Sequence, residues 1–231
     1  MKTIGLIGGM SWESSIEYYR IINEAVKTRL GGLHSAQSLM YSVDFAAIEA
    51  MQEDGDWDSA ADVLVDAAKR LEAGGADCIV LCTNTMHIVA EAIEQCVKLP
   101  FIHIADTTAK KILVAGISKI ALMATAYTME GEFYRGRLEQ KFGLEVLIPP
   151  VADRQIVHEV IYDELCLGVI KDESREQYRR IIHDLVERGA EGVILGCTEI
   201  TLLIKQSDSP VPTFDTTELH ALASVDFALS D

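Results

Sequence analysis

The sequence predicts an α/β protein of two similar domains, each on a parallel four-stranded sheet, with a cleft between them. Three observations lead there. First, short apolar runs alternate with amphipathic helical stretches along all 231 residues, the pattern of parallel sheets with right-handed crossovers. Second, the chain repeats itself at a period too long for a solenoid. Thr83 and Cys197 occupy corresponding places 114 residues apart, Gly5–Ser11 matches Ala121–Tyr127, and Asp106-Thr107-Thr108 matches Asp215-Thr216-Thr217. Third, small polar clusters follow the apolar runs, at the carboxyl ends of strands, where open α/β sheets bind ligands.

Taken in order, Thr3 to Ile7 is a first strand and Gly8-Gly9 a tight turn. Ser11 is an N-cap for a helix from Trp12 to about Arg29, with Ile16, Tyr19, Ile22, Asn23 and Val26 at helical spacing. The pattern G-x-x-G-G is not the dinucleotide fingerprint; it reads as a short anion-binding loop using N–H groups near Met10 and Ser11. Ser38 to Val43 is a second strand. The polar stretch from Asp44 to Trp57, containing Gln52, is expected to be a loop bordering the cleft. A helix follows from about Asp58 to Glu72, then the strand Cys78–Cys82, the cluster Thr83-Asn84-Thr85, a helix to about Cys96 and a short strand over 100–104. Asp106 caps the next helix.

The second half begins after Gly116. Lys119 to Met123 is its first strand, Thr125 to Thr128 its turn, and Met129 to Phe142 its helix. Glu145 to Ile148 is a strand, halted by Pro149-Pro150; Asp153–Leu167 and Asp172–Arg188 are helices. Then come the strand ending in Gly196-Cys197-Thr198-Glu199, a helix to about Lys205, and a last helix from near Thr216. The expected division is two Rossmann-like domains, one of residues 1–114 plus 210–231 and one of 115–209.

Composition narrows the function classes. Apolar residues make up 49 per cent of the chain, enough for a sizeable core. A formal net charge of −16 argues against nucleic acid or an anionic membrane as partner. Five cysteines without regular spacing point to a reducing compartment and no disulfide framework; Cys78, Cys96 and Cys166 read as core. No His/Cys set has zinc spacing and no motif indicates pyridoxal phosphate, so neither metal nor cofactor is expected. The first apolar run is too short for a secretion signal, and no run approaches the ~18 residues of a spanning helix. The expectation is a cytoplasmic protein acting on a small molecule.

The two strand-end clusters suggest the chemistry. A cysteine followed by helical N–H groups feels the positive end of a helix dipole, which is expected to lower the Cys197 pKa. Thr198 and the next N–H groups could hold a carboxylate beside it. Two acid/base groups on opposite walls of a cleft suit inversion of a stereocentre, in which one removes a proton from carbon and the other returns a proton to the opposite face.

At these residues the sequence resembles the pyridoxal-phosphate-independent aspartate/glutamate racemases. The resemblance covers essentially the whole chain and rests on G-L-I-G-G-M at 5–10, N-T-x-H at 84–87 and G-C-T-E at 196–199. Glu199 in the last motif is similar to the aspartate-racemase branch. The resemblance implies two α/β domains related by a pseudo-twofold axis, the active site in the interdomain cleft, no cofactor, an acidic amino acid as substrate, and usually a homodimer. It implies that Cys197 takes the α-proton of the L-enantiomer. By the same resemblance Thr85, Thr125, Thr198 and the Met10 region match positions around the substrate carboxylate and amine, with Asn84 beside them as a further substrate-binding candidate. Gln52, bordering the cleft, could reach the side-chain end, and Glu199 could orient the substrate ammonium or Cys197, or simply favour the helix N-terminus.

One departure stands out. The family usually has Cys immediately before Asn-Thr, where this chain has Thr83. Cys82 is one residue too early and, in a strand, would point to the other side. Thr83 would then deliver the proton to the face opposite Cys197, directly or through water. The same residues also fit other readings: decarboxylation of a malonate or another isomerisation on a related scaffold, and a non-catalytic binding protein for an acidic amino acid. Thr125 and Thr128 could be plain turn residues, and His87 a cap or packing residue.

Overall fold

The computed structural model describes residues 1–230. The first half runs β1 (Ile4–Gly8), α1 (Trp12–Leu30), β2 (Ser38–Ser42), α2 (Phe45–Asp54), α3 (Trp57–Ala73), β3 (Cys78–Leu81), a 3-10 turn over Thr85–Val89, α4 (Ala90–Cys96), β4 (Phe101–Ile102) and α5 (Ile104–Val114). The second runs β5 (Lys119–Met123), α6 (Ala126–Glu130), α7 (Arg135–Phe142), β6 (Glu145–Leu147), α8 (Val151–Asp163), a 3-10 turn over Leu165–Leu167, α9 (Asp172–Glu187), β7 (Val193–Leu195), α10 (Ile200–Leu203), β8 (Thr213–Asp215) and α11 (Thr216–Leu229). Each half forms one parallel four-stranded sheet. Their strand orders, β2-β1-β3-β4 and β6-β5-β7-β8, are the same, so the repeat read in the sequence is a repeat of topology.

The chain forms two compact units. Met1–Ile104 and the chain from His220 onward make the first, and Ala105–Leu219 make the second. The boundaries expected at 114/115 and 209/210 therefore move. Residues 105–114 join the second unit, where Asp106 pairs with Arg137 at 2.5 Å and with Lys141 at 2.7 Å. Residues 210–219 join it because β8 pairs with β7, Ile194 opposite Phe214. From His220 onward α11 belongs to the first unit.

In the first unit the strands are apolar on both faces, as a covered parallel sheet requires. Alternate residues split between two cores. Ile7, Ile79 and Leu81 pack with Leu64, Ala67, Ala68 and Leu71 of α3 and Ile93 of α4. Ile4, Leu6, Cys78, Val80 and Cys82 pack with Tyr18, Ile22 and Val26 of α1 and Ala221, Val225 and Ala228 of α11. The inward face of α1 is thus set by Tyr18, Ile22 and Val26, while Trp12, Ile16 and Tyr19 are 62, 52 and 55 per cent exposed. Ile16 and Tyr19 keep helical spacing but line the outer side.

Caps explain where the helices begin. Ser11 Oγ accepts the N–H of Ser14 at 3.3 Å, and Asp56 accepts that of Ser59 at 3.1 Å. Asp215 Oδ1 accepts the N–H groups of Thr217 and Glu218, which starts α11. Asp44 Oδ1 accepts the N–H of Ala46 and starts α2, so the expected loop over 44–57 is largely helix. Its only buried residues are Ile48 and Gln52, one turn apart, a stripe too faint to mark a helix by periodicity. The helix expected over 129–142 is broken at Gly131 into α6 and α7, and that expected to Lys205 shrinks to the single turn of α10.

His220 ties the returning end of α11 to this unit. Its Nε2 lies 2.5 Å from the carbonyl oxygen of Ile102, which can only accept, so Nε2 carries the proton. Nδ1 then accepts from the Tyr18 hydroxyl at 2.8 Å. Burial holds the ring neutral and pushes its pKa down to about 4 from 6.5. The folded pKa is depressed, so the folded state binds fewer protons than the unfolded chain between these values. The stability tied to the neutral ring is complete above about pH 6.5 and is lost as pH falls towards 4, by up to about 3 kcal/mol. Urea unfolding at pH 7.5 and pH 5 should show this loss in the wild type and a flatter dependence in His220→Phe. An equal pH dependence in the two proteins would rule His220 out as its source.

Candidate active site

The polar clusters sit where the ladders stop. In the first unit β3 pairs with β1 through Ile7 opposite Leu81, and the N–H of Cys82 makes the last ladder bond to Ile7 O at 2.9 Å. In the second unit β7 pairs with β5 through Met123 opposite Leu195, and the N–H of Gly196 bonds Met123 O at 2.7 Å. Cys82 and Gly196 are therefore structural equivalents, and Thr83 and Cys197 are each the next residue. Gly196 is needed for that approach: a Cβ there would meet Ala124 Cβ at 2.9 Å. Cys82 faces the α1 core and is fully buried, with its pKa raised by desolvation, so it cannot substitute for a cysteine at 83.

In the first unit Met10, Gln52, Thr83, Asn84 and Thr85 gather past the carboxyl edge of the sheet. Thr83 is half-buried, and its N–H donates to Leu81 O at 2.9 Å. Asn84 and Thr85 are buried and open the 3-10 turn. Gln52 is buried on α2 and its Nε2 donates to Met86 Sδ at 3.0 Å, which brings α2 against that turn. Met10 is buried with its side chain in the α3 core. The preceding Gly9 adopts φ 96°, and a Cβ there would lie 2.2 Å from Val43 O, so only glycine makes this turn. Its N–H is bonded to Ser15 Oγ at 2.7 Å, so the glycine loop is fastened by its own helix.

In the second unit Thr125, Cys197, Thr198 and Glu199 stand at the carboxyl ends of neighbouring β5 and β7. Cys197 is half-buried and donates its S–H to Glu199 Oε2 at 2.9 Å; Glu199 is buried. Thr198 is buried and accepts from Thr217 Oγ1 at 3.1 Å, while Thr216 Oγ1 donates to Leu195 O at 3.0 Å. The second Asp-Thr-Thr sequence thereby braces the Cys197 turn. Thr125 is the N-cap of α6, its Oγ1 accepting the N–H of Thr128 at 3.4 Å. The neighbouring Ala126 N–H is taken by His158 Nδ1 at 3.2 Å. Burial lowers the His158 pKa. No local motif marks His158, which reaches the turn from α8.

The expected lowering of the Cys197 pKa is overturned. Burial, and then the adjacent Glu199 carboxylate, push the thiol well above its ordinary value, with a smaller contribution from Cys166. The dipole argument fails because α10 is one turn long, and its first N–H, that of Ile200, is already bonded to Cys197 O at 3.1 Å. At rest the site therefore holds a protonated thiol on a carboxylate acceptor. The core reading of the other cysteines holds for Cys78; Cys96 is exposed at the end of α4 and Cys166 is half-buried. Among the described residues no group of three or more His, Cys, Asp or Glu is arranged to hold a metal ion, and no helix is long and apolar enough to cross a membrane.

The chain is similar to known proteins over most or all of its length. Residues 7–223 match the family described as Asp/Glu/Hydantoin racemase. A Yersinia pestis protein assigned to the Asp/Glu racemases is 56 per cent identical, each chain covered completely, with a TM-score of 0.94. An aspartate racemase homologue from Pyrococcus horikoshii is 35 per cent identical over all of both chains, with a TM-score of 0.86. A broad specificity amino-acid racemase of Bacillus subtilis is 26 per cent identical, over 74 per cent of this chain and 73 per cent of its own.

The Cys197–Glu199 contact is directly testable. Removing the Glu199 charge in Glu199→Gln should lower the thiol pKa. The pH midpoint of Cys197 alkylation by iodoacetamide, followed by peptide mass spectrometry with exposed Cys96 as internal reference, should then move down. A midpoint that stays or rises would show that Glu199 does not hold the thiol proton.

Proposed function

The chain belongs to the Asp/Glu/Hydantoin racemase family and is an amino-acid racemase, an isomerase; from that premise we propose that it acts on L-aspartate or L-glutamate, with Cys197 removing the α-proton and Thr83 serving the opposite face. The observation that carries this reading is the shared ladder position of Thr83 and Cys197, one in each unit.

Glu199 takes the thiol proton and passes it to solvent, so that it is charged again beside a thiolate, which then takes the α-proton from carbon. The substrate ammonium offsets the negative charge gathered on Cys197 and Glu199, which favours the thiolate once substrate is bound. The developing carbanion spreads its charge into the substrate carboxylate, held by N–H and hydroxyl donors around Asn84, Thr85, Thr125 and Thr198 and by the Met10 turn. Gln52 reaches the far end of the substrate. Thr83 then gives its hydroxyl proton to the other face and recovers one from solvent. No cofactor takes part in this scheme.

The two ends of the reaction are unequal. A threonine hydroxyl is an adequate acid towards a carbanion but a poor base, because its alkoxide is far less accessible than a thiolate. The enantiomers have equal free energy, so racemisation must have equal kcat/KM in both directions. The asymmetry therefore shows in proton exchange, not in net direction.

We also infer a homodimer, supported by the exposed Trp12, Ile16 and Tyr19 at i, i+4 and i+7 on α1. A monomeric wild type in sedimentation velocity would overturn this, and Trp12→Glu with Ile16→Glu should convert the dimer to monomer.

Proton NMR in deuterated buffer tests the chemistry. Loss of the α-proton should be much faster from L-aspartate or L-glutamate than from the D-forms, and should vanish in Cys197→Ala. Equal exchange from both enantiomers would contradict the assignment. Thr83→Cys should raise racemisation in both directions, on the order of tenfold or more given the scale of general acid–base contributions. A folded variant with no gain would remove Thr83 from the mechanism.

A further inference from the structure

His87 is buried on the 3-10 turn and is bonded at both ring nitrogens. Nε2 accepts the N–H of Ile104 at 3.2 Å, so it carries no proton. In the neutral ring the proton is then on Nδ1, which lies 2.6 Å from the carbonyl oxygen of Thr83, a group that can only accept. The two partners assign the same tautomer independently. His103 packs against the ring at 4.6 Å between centroids, and Phe101 meets it edge-on at 5.5 Å. His220 holds the other side of the same segment through Ile102 O. Two imidazoles of opposite tautomer thus pin the turn from β4 into α5, and one of them reaches on to Thr83.

We propose that His87 is the positioning residue for Thr83, locking its carbonyl and thereby aiming its hydroxyl. Thr83 lies beyond the ladder, so no neighbouring strand fixes it. Its N–H is held by Leu81 O and its carbonyl by His87 Nδ1–H, which together set the backbone on both sides of the Cα atom. The branched Cβ then leaves few staggered positions for Oγ1. The second unit does this differently. Cys197 O is bonded by the backbone N–H of Ile200. At the residue 114 positions after His87 stands Thr201, whose hydroxyl donates to Thr198 O at 2.7 Å, not to Cys197 O. The histidine clamp belongs to the threonine side alone. A thiolate is large and polarisable and tolerates a loose approach; a hydroxyl proton moves over a short hydrogen bond and needs an aimed oxygen.

This inference rests on the reading of Thr83 as the group serving the opposite face, and the experiment separates the two. Full-length wild type, His87→Phe, His87→Gln and Thr83→Ala are compared with L-aspartate in deuterated buffer. Deuterium entering L-aspartate reports the Cys197 step, and D-aspartate formation adds the Thr83 step. His87→Phe fills the volume without either hydrogen bond. It should lower D-aspartate formation roughly tenfold or more while changing exchange into L-aspartate less than about threefold, since small misplacements of a reacting group have effects of that scale. His87→Gln, which can donate to Thr83 O and accept from Ile104 N–H, should recover most of the loss. In the unmodified protein, 15N NMR should show a protonated Nδ1 and an unprotonated Nε2 for His87, a readout that needs no variant to fold. The opposite tautomer overturns the proposal. So does a parallel fall of both rates in His87→Phe, or an unchanged ratio when Thr83→Ala has abolished D-aspartate. Undiminished D-aspartate formation in Thr83→Ala overturns instead the reading on which the proposal rests.

Discussion

The structure depends on where two hydrogen-bond ladders end. In each unit the first and third strands of the sheet pair in parallel, and the last rung joins the residue after β3 to Ile7 and the residue after β7 to Met123. Past that rung the backbone is released from the sheet but still anchored to it, so the next side chain emerges at the carboxyl edge from a rigid support. A one-residue slip would turn every side chain to the opposite face. Cys82 shows the consequence within the chain itself. It precedes Thr83 by one residue and is sealed in the α1 core, its thiol inert, while Thr83 is half-exposed.

Much of this was legible in the sequence, because parallel strands buried on both faces write themselves as continuous apolar runs. Cys78 to Leu81, Lys119 to Met123 and Val193 to Leu195 lie within the expected strands, β1 runs past its expected end at Ile7 by Gly8 alone, and the equivalence of Thr83 with Cys197 follows from their spacing after those runs. What escaped was set by tertiary contact. α2 buries little more than Ile48 and Gln52, so its periodicity is weak and its cap, Asp44, reads equally well as a loop residue. The unit boundaries moved because the Asp106 pairs with Arg137 and Lys141, and the pairing of β8 with β7, join residues far apart in sequence. His158 reaches Ala126 N–H across 32 residues and carries no local signature.

The Cys197 thiol illustrates how a sound local principle loses to its surroundings. A helix N-terminus lowers a thiol pKa when the helix is long enough to have a dipole and its first N–H groups are unoccupied. α10 offers one turn, and Ile200 N–H is already bonded to Cys197 O. Against this stand burial and a carboxylate 2.9 Å away, both favouring the protonated form. The same carboxylate is also the nearest acceptor for the proton it stabilises. A site that keeps its thiol protonated at rest protects it from oxidation and alkylation, since the thiolate is the reactive form. It also makes deprotonation conditional on positive charge arriving beside Glu199. In the proposed reaction an α-ammonium group supplies that charge, which would couple formation of the thiolate to binding of a zwitterionic amino acid.

The two halves share a topology and differ in how they hold the residue past the ladder. The cysteine side is braced by hydroxyls of its own turn and of the following Asp-Thr-Thr segment: Thr201 to Thr198 O, Thr217 to Thr198 Oγ1 and Thr216 to Leu195 O. The threonine side is braced by an imidazole that spans from Thr83 O to Ile104 N–H. Hydroxyls can rotate and exchange partners, whereas an imidazole with both nitrogens committed to backbone groups of fixed polarity has one arrangement. Duplication of a βα scaffold preserves the ladder and so preserves the place of the side-chain group just past it. It does not preserve the chemistry of that group, and each side chain needs its own support. A soft thiol beside a carboxylate requires control of its proton, which Glu199 provides. A hydroxyl requires control of direction, which must come from the backbone that carries it.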